Sequence, residues 1–417
     1  MSPFFRKYLC ILALSIAGGS IYTLPYLKYV FYDTQLQVMG ITNAQSGFLL
    51  SMYAIGCMLS YIPGGLITDR ISPRKAIAYS LLGTSGLGFL YGFTFSYSMA
   101  LVIWFLFALT TAFVFWTSLI KAIGMAGNRN EQARLYGIYY AGNGVTAAIV
   151  NSIALKAFTF GQDPKQSLFY AVVAMSICIL LSAVMVMFLV TDEKVQTAEE
   201  DKFDFSVIKD LVKSPMLWCF SFIVFAGYAI YSSTSYFTPY LTQVVGLSVE
   251  ESGAFSIIRS YLFYLLAPLG GYLADRVLHS TSKLFTVLFS LLAISIFGVM
   301  FLPSTMSTLS ISIYTLIPGA IGLMLYGIVF SVIQESGIPV KVAGTAIGLA
   351  SIIGYTPDFF FSPMFGHWLD THGNDGYTII FYFLTGVAVM GAIMSFIVYR
   401  RNFAKPVFDA DTVAQSA

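Results

Sequence analysis

Apolar residues run along the whole chain in windows of about 20, broken by short polar segments, which is the pattern of membrane-spanning helices. Spans are predicted near 8–32, 44–66, 76–95, 98–122, 134–158, 166–190, 215–241, 251–273, 284–303, 311–333, 343–367 and 377–399. The longest polar segment, "TDEKVQTAEEDKFDFSVIKDLVK", separates them six from six. It implies an N-terminal six-helix bundle over 1–191, a cytoplasmic connector over 192–213, a C-terminal six-helix bundle over 214–400 and a cytoplasmic tail over 401–417. Arg6 and Lys7 before the first apolar run give it the outline of a signal peptide. The run is too long for one and lacks a small-residue cleavage site, so it reads as a retained first span.

Composition agrees. Of 417 residues, 57% are hydrophobic and 10% charged, against about 25% charged in a soluble domain, and the mean hydropathy is +0.78. A water-soluble fold is excluded, and the fold class is an all-α polytopic membrane protein. The net charge of +2 matters less than where the charges lie. With both termini cytoplasmic, 18 of the 22 Lys and Arg residues fall on the cytoplasmic side. Lys28, Lys156 and Lys165 fall at the outer side, and Arg259 falls inside a span. This bias supports twelve spans in that orientation. Cys10, Cys57, Cys178 and Cys219 are widely spaced in apolar stretches, which argues against a disulfide framework or a metal site.

The two halves repeat. Residues 39–70, "MGITNAQSGFLLSMYAIGCMLSYIPGGLITDR", align without a gap on 245–276, "VGLSVEESGAFSIIRSYLFYLLAPLGGYLADR", at an offset of 206. Gly40 meets Gly246, Ser46-Gly47 meets Ser252-Gly253, and Asp69-Arg70 meets Asp275-Arg276. Six-helix repeats are the pattern of transporters that rock around a central site. The stretch "GGLITDRISPRK" resembles the loop between helices two and three of the major facilitator superfamily, with Gly65, Asp69, Arg70, Arg74 and Lys75 on its positions. Ser72 and Pro73 depart from that loop. The second copy keeps Gly271, Asp275 and Arg276 without the basic run. The resemblance implies the twelve-helix, two-half fold of that family, and a gating role for this loop as a cytoplasmic latch. Setting topology by positive charge alone is the plainer role.

The resemblance further implies that spans 1, 4, 7 and 10 line a cavity flanked by spans 2, 5, 8 and 11. Intramembrane charges are the first candidates for contacts there. Arg259 lies roughly 12 Å below the outer end of span 8, at 1.5 Å per residue, on a face with Ser252, Ser256 and Phe263. Its guanidinium is suited to two-pronged binding of a carboxylate or phosphate, or to a structural ion pair. Asp358 lies at nearly the same depth in span 11, on a stripe with Ser351, Tyr355 and Ser362. Three roles are open to it: capping a helix restart at Thr356-Pro357, pairing with Arg259, or taking up a proton. Lys28 either snorkels to the interface or meets an anion, with Tyr22, Tyr26, Tyr29 and Asp33 beside it. A cation in span 1 with an arginine in span 8 is similar to the arrangement of monocarboxylate and oxalate carriers.

Lys121 at the end of span 4 either meets an anion from the cytoplasmic side or serves topology. Asn143 and Asn151 in span 5, Tyr228 in span 7 and Tyr355 are suited to orient a polar solute, or act as glue between helices. Gln334 and Glu335 are assigned to the cytoplasmic gate. The Gly-Pro motif that drug/proton antiporters of the superfamily carry in helix 5 is missing from "YAGNGVTAAIV", no phosphate loop is present, and no His lies within a span.

The sequence therefore predicts a secondary transporter of the inner or plasma membrane, not an enzyme, moving a small organic anion by alternating access, with proton coupling through Asp358. The alternatives are a neutral polar solute and a transporter-like receptor that does not translocate. No cofactor or metal is expected. The expected partners are the lipid bilayer, the solute and protons, with no nucleic acid, and the working form is a monomer.

Overall fold

The computed structural model describes residues 3–68, 71–126, 132–190, 211–303, 305–338 and 343–404. Among them there is no strand. Joined across their breaks, helices among the described residues form twelve runs in the predicted order: α1 (Pro3–Ile21 and Lys28–Met39), α2 (Asn43–Thr68), α3 (Pro73–Thr94), α4 (Tyr97–Met125), α5 (Gln132–Phe158), α6 (Pro164–Leu189), α7 (Pro215–Gln243), α8 (Val249–Leu278), α9 (Thr281–Phe301), α10 (Thr308–Tyr326 and Val329–Glu335), α11 (Ala343–Gly354 and Pro357–His372) and α12 (Asp375–Ala404). The end carrying the α1–α2, α5–α6, α7–α8 and α11–α12 turns is called the outer end below, after the sequence-based orientation.

Local chemistry sets the helix ends. Asp163 caps α6 by accepting from the Gln166 N–H at 2.9 Å, with Pro164 in the first turn. The sequence repeat recurs as geometry. Gly40 and Gly246 both take positive φ, 62° and 85°, where the chain leaves α1 and α7. Two residues later Thr42 and Ser248 each bond the N–H three residues on. Gln45 and Glu251 return the bond to the Thr42 and Ser248 N–H groups. Both halves thus open their second helix with a capping box.

Several helices break inside their apolar stretches. α1 opens into turns between Ile21 and Lys28 around Pro25, and Phe31 is non-helical at φ −114°, ψ 38°. α4 widens into a π-turn at Leu109–Phe113. α7 tightens into a 3-10 turn at Thr234–Tyr236, α8 does so at Leu262–Leu266, and α11 restarts at Pro357. In lipid such breaks persist only where neighbouring groups take up the freed backbone. The Trp104 Nε1–H donates to the Pro25 carbonyl at 3.0 Å.

Two compact units emerge. One comprises residues 1–198, 235–265 and 359–376, and the other 199–234, 266–358 and 377–417. The boundaries in α7, α8 and α11 fall at those helix breaks. Tyr91, Trp104 and Phe107 stack edge to face in the core of the first unit, with centroids 5.1 and 5.6 Å apart. In the second, Phe285 and Phe289 are fully buried along α9.

Within the first unit, the outer halves of α2 and α11 run against each other. Asn43, Gly47 and Ser51, four residues apart, form one face of α2. Opposite them lie Asp370, Gly366, Pro363 with Ser362, and Phe359. A Cβ at Gly47 would strike the backbone of Ser362 and Pro363, and one at Gly366 would strike the backbone of Asn43 and Ala44. Ser51 donates to the Phe359 carbonyl at 2.6 Å. The two glycines therefore permit backbone-to-backbone approach. Gly366→Ala should destabilise the purified protein by about 1–3 kcal/mol, the range for overpacking, read as a lower thermal unfolding midpoint. Gly386→Ala, where a Cβ meets nothing within 4 Å, should leave the midpoint unchanged or slightly raised.

Candidate functional site

Two buried cations dominate the outer part of the first unit. Lys28 is 3% exposed, and its Nζ donates to Ser362 Oγ at 3.2 Å and Tyr236 Oη at 3.5 Å. It also lies 5.2 Å from the Tyr236 ring centroid and 5.8 Å from that of Tyr32. Snorkelling to the interface is thereby overturned. The break before Lys28 turns the side chain inward, where hydroxyls of α7 and α11 receive it. Arg259 is fully buried; its Nη2 donates to Thr238 Oγ1 at 2.9 Å and its guanidinium lies 5.5 Å from the Phe237 ring. A charge at mid-helix costs about 2.5–3.5 kcal/mol on insertion scales. Hydrogen bonds to a charged group return about 1.5–3 kcal/mol each, so these partners offset much of the cost.

The cations are linked through backbone. Thr238 Oγ1 also donates to the Tyr29 carbonyl at 2.9 Å, and Ser256 donates to the same oxygen. The non-helical Phe31 sits just beyond that carbonyl. One hydroxyl thus bridges the guanidinium of α8 and the chain next to Lys28.

In the second unit, Asp358 is nearly buried, 9% exposed, and accepts a hydrogen bond from the Tyr228 hydroxyl. Tyr355 stands edge-on to Tyr228 at 4.7 Å, with its hydroxyl 3.5 Å from that of Tyr326. Tyr326 and Tyr231 stack at 4.7 Å with planes 4° apart. The restart at Pro357 is as predicted, with Asp358 in its first turn. Thr356, however, is not its side-chain cap: its hydroxyl turns back to the Ile353 carbonyl at 2.7 Å.

The remaining candidates are dispersed. Tyr26 packs edge-on to Tyr53 at 5.6 Å. Asn143 donates to the Tyr139 hydroxyl at 3.0 Å, and Asn151 bonds back to Ala147 of its own helix. Lys121 is half-buried near the inner end of α4. Of the loop residues, Gly65 lies in the helical part of α2, Arg74 is half-buried, and Lys75 follows the Ser72 cap. Asp69 and Arg70 lie outside the described residues. Asp275 and Arg276 are exposed on a π-turn of α8. Glu335 caps the first turn of α9, accepting from the Thr281 and Ser282 N–H groups and from the Ser280 hydroxyl.

Sequence reasoning missed Tyr236, Thr238, Tyr231, Tyr326 and the outer-end carboxylate Asp370, and it named Asp33 beside Lys28 without its partners. Asp33 accepts from Thr242 and Gln243. Asp370 accepts from the Asn43 and Ala44 N–H groups at 2.9 Å each and from the Asn43 amide at 2.7 Å. Partial burial pushes the Asp370 carboxyl up, but the bonds from Ala44, Asn43 and Thr42 outweigh it and hold it below its ordinary value. Proline and glycine spacing hinted at the breaks. Nothing local marked the partners, which are distant in sequence.

Comparison with known proteins is consistent with this geometry. The family model described as the Major Facilitator Superfamily matches residues 9–360. The inner membrane protein YihN of Escherichia coli (strain K12) is 28% identical over 404 residues, covering 95% of this chain and 96% of its own. The inner membrane protein YqcE of the same organism is 27% identical over 403 residues, covering 94% of each. Among solved structures, a bacterial homolog of the human lysosomal transporter Spinster superposes with a TM-score of 0.72 at 16% identity, over 98% of this chain and all of that one. A D-xylose–proton symporter does so with 0.73 at 14%, over 95% and 98%. Fold, internal repeat and matched residues agree, and the chain belongs to the Major Facilitator Superfamily.

Proposed function

We propose that this membrane-spanning secondary transporter of the cytoplasmic membrane carries a small organic anion by alternating access, with its two six-helix halves, 1–191 and 214–400, rocking about the site. The observation that carries this reading is the pair of fully or nearly buried cations, Lys28 and Arg259. Among their partners are neutral hydroxyls and rings, over which a carboxylate, phosphate or sulfonate gains charge-assisted bonds. Arg259 supplies the two-pronged contact and Lys28 a point charge. Asp358, held by Tyr228 beside Tyr355, is the proton acceptor: protonation would take away the acceptor charge that orders Tyr228. Lys121, Tyr26 and Asn143 are secondary contacts, and the loop residues Gly65, Asp69, Arg70, Arg74, Lys75, Asp275 and Arg276 serve the cytoplasmic gate.

A second reading, a neutral polar solute, is favoured by the cluster of Tyr228, Tyr231, Tyr326 and Tyr355, whose faces and hydroxyls suit a polyhydroxylated ring. In that reading Arg259 and Asp358 are structural.

A thermal-shift screen of carboxylates and of phosphorylated and sulfonated metabolites should find one that raises the unfolding midpoint. A ligand at a hundred times its Kd stabilises by about 2.7 kcal/mol. In proteoliposomes, Arg259→Gln should then abolish uptake of that anion; unchanged uptake sinks the anion reading. Asp358→Asn should abolish accumulation driven by a proton gradient while sparing exchange of the solute across the membrane. Accumulation that persists would remove Asp358 from coupling.

A further inference from the structure

The gating residues named so far all lie at the cytoplasmic end, yet an alternating-access cycle needs a closure at the other end too. The outer ends of α2 and α11 show how one is built. The first turn of any helix presents N–H groups that its own ladder cannot satisfy. In α2 the capping box uses those of Thr42 and Gln45. It leaves the N–H groups of Asn43 and Ala44, which point along the axis toward α11. Asp370 meets them with one carboxylate oxygen each, at 2.9 Å, while the Asn43 amide adds a third bond at 2.7 Å. Tyr32 of α1 fixes that amide by donating to its oxygen at 2.8 Å. A carboxylate at a helix N-terminus gains from the dipole as well as from the hydrogen bonds. One turn further in, Gly366 and Gly47 let the backbones touch, so the carboxylate arrives at the right depth.

The repeat-related helix start in α8 carries the same kind of capping box, from Ser248 and Glu251. The carboxylate is an addition on one side of the repeat and not a consequence of the fold.

We propose that Asp370 is the latch of the outer gate: it holds α11 on the N-terminus of α2 in the outward-closed state and must let go each time the transporter opens outward. The latch is a positioning device and does not depend on which solute is carried. Its bonds come from two backbone N–H groups, the Asn43 amide and the Thr42 side chain, so a carboxamide in its place turns one acceptor into a donor facing an N–H. Glutamate keeps both acceptor oxygens.

Ser51 lies two turns below the latch on the same face of α2 and is buried, so Ser51→Cys is a near-isosteric reporter of outer opening. In right-side-out membrane vesicles, an impermeant thiol reagent should label Ser51→Cys about tenfold faster when Asp370→Asn is added, the shift expected for one lost charge-assisted hydrogen bond. Asp370→Glu should return the rate most of the way, with the unfolding midpoint of the purified variants unchanged. An unchanged labelling rate in Asp370→Asn overturns the latch. So does a rise matched by equal labelling of the native cysteines in the protein that retains Ser51, since that would report loss of the fold and not opening of a gate.

Discussion

The carbonyl of Tyr29 has to be satisfied inside the protein, and much of the outer architecture follows from that. A non-helical residue at Phe31 interrupts the ladder of α1 where no lipid group can substitute. Hydroxyls from Thr238 and Ser256 converge on the oxygen instead. Thr238 can do so because α7 has itself broken at Thr234–Tyr236, which re-aims the side chains beyond the break. The same hydroxyl receives Arg259, and the same break sets Tyr236 against Lys28. Two irregularities that would each be unfavourable alone are mutually compensating, and the buried cations sit where they compensate.

Carboxylates are used twice in one way, with different mechanical meaning. Glu335 and Asp370 each take two successive N–H groups at the start of a helix that is not their own. Glu335 ties α10 to α9, both in the C-terminal six helices of the sequence repeat, so that tie can persist through a cycle. Asp370 ties α11 to α2, across the repeat. The chemistry is identical, and the two ties differ in placement: one stays within the C-terminal repeat and the other joins the two repeats.

Much of the fold was legible because the signals were local: apolar windows, and Ser, Thr, Asp and Pro at helix starts. The repeat was read from Gly40 and Gly246, and their shared positive φ shows what it encodes. Counting residues placed Arg259 inside span 8, and it is fully buried in α8. Lys28 was harder. Its position near a span end favours snorkelling, and only the break around Pro25 turns it inward. Asp358 was placed correctly at a restart. Its bond to Tyr228 joins residues 130 apart, and spacing within one helix carries no trace of such a partner. Asp370, in "HWLDTHGNDG", looks like an ordinary polar helix end until the N–H groups of Asn43 and Ala44 arrive from 327 and 326 residues away.

The first compact unit is assembled from three separated stretches, 1–198, 235–265 and 359–376. A ribosome makes them in that order, with helices entering the membrane as they emerge. When the first six helices are complete, the hydroxyls of Tyr236, Ser362, Thr238 and Ser256 and the Asp370 carboxylate, which reach Lys28, the Tyr29 carbonyl and the first turn of α2, have not yet been translated. Tyr236 and Thr238 come about 40 residues later, Ser256 about 60, and Ser362 and Asp370 only near the end of the chain. Until then the N-terminal helices carry Lys28 and the Tyr29 carbonyl without these hydroxyls. Truncation before residue 376 leaves them unfinished, which makes the last fifth of the chain a checkpoint for the first.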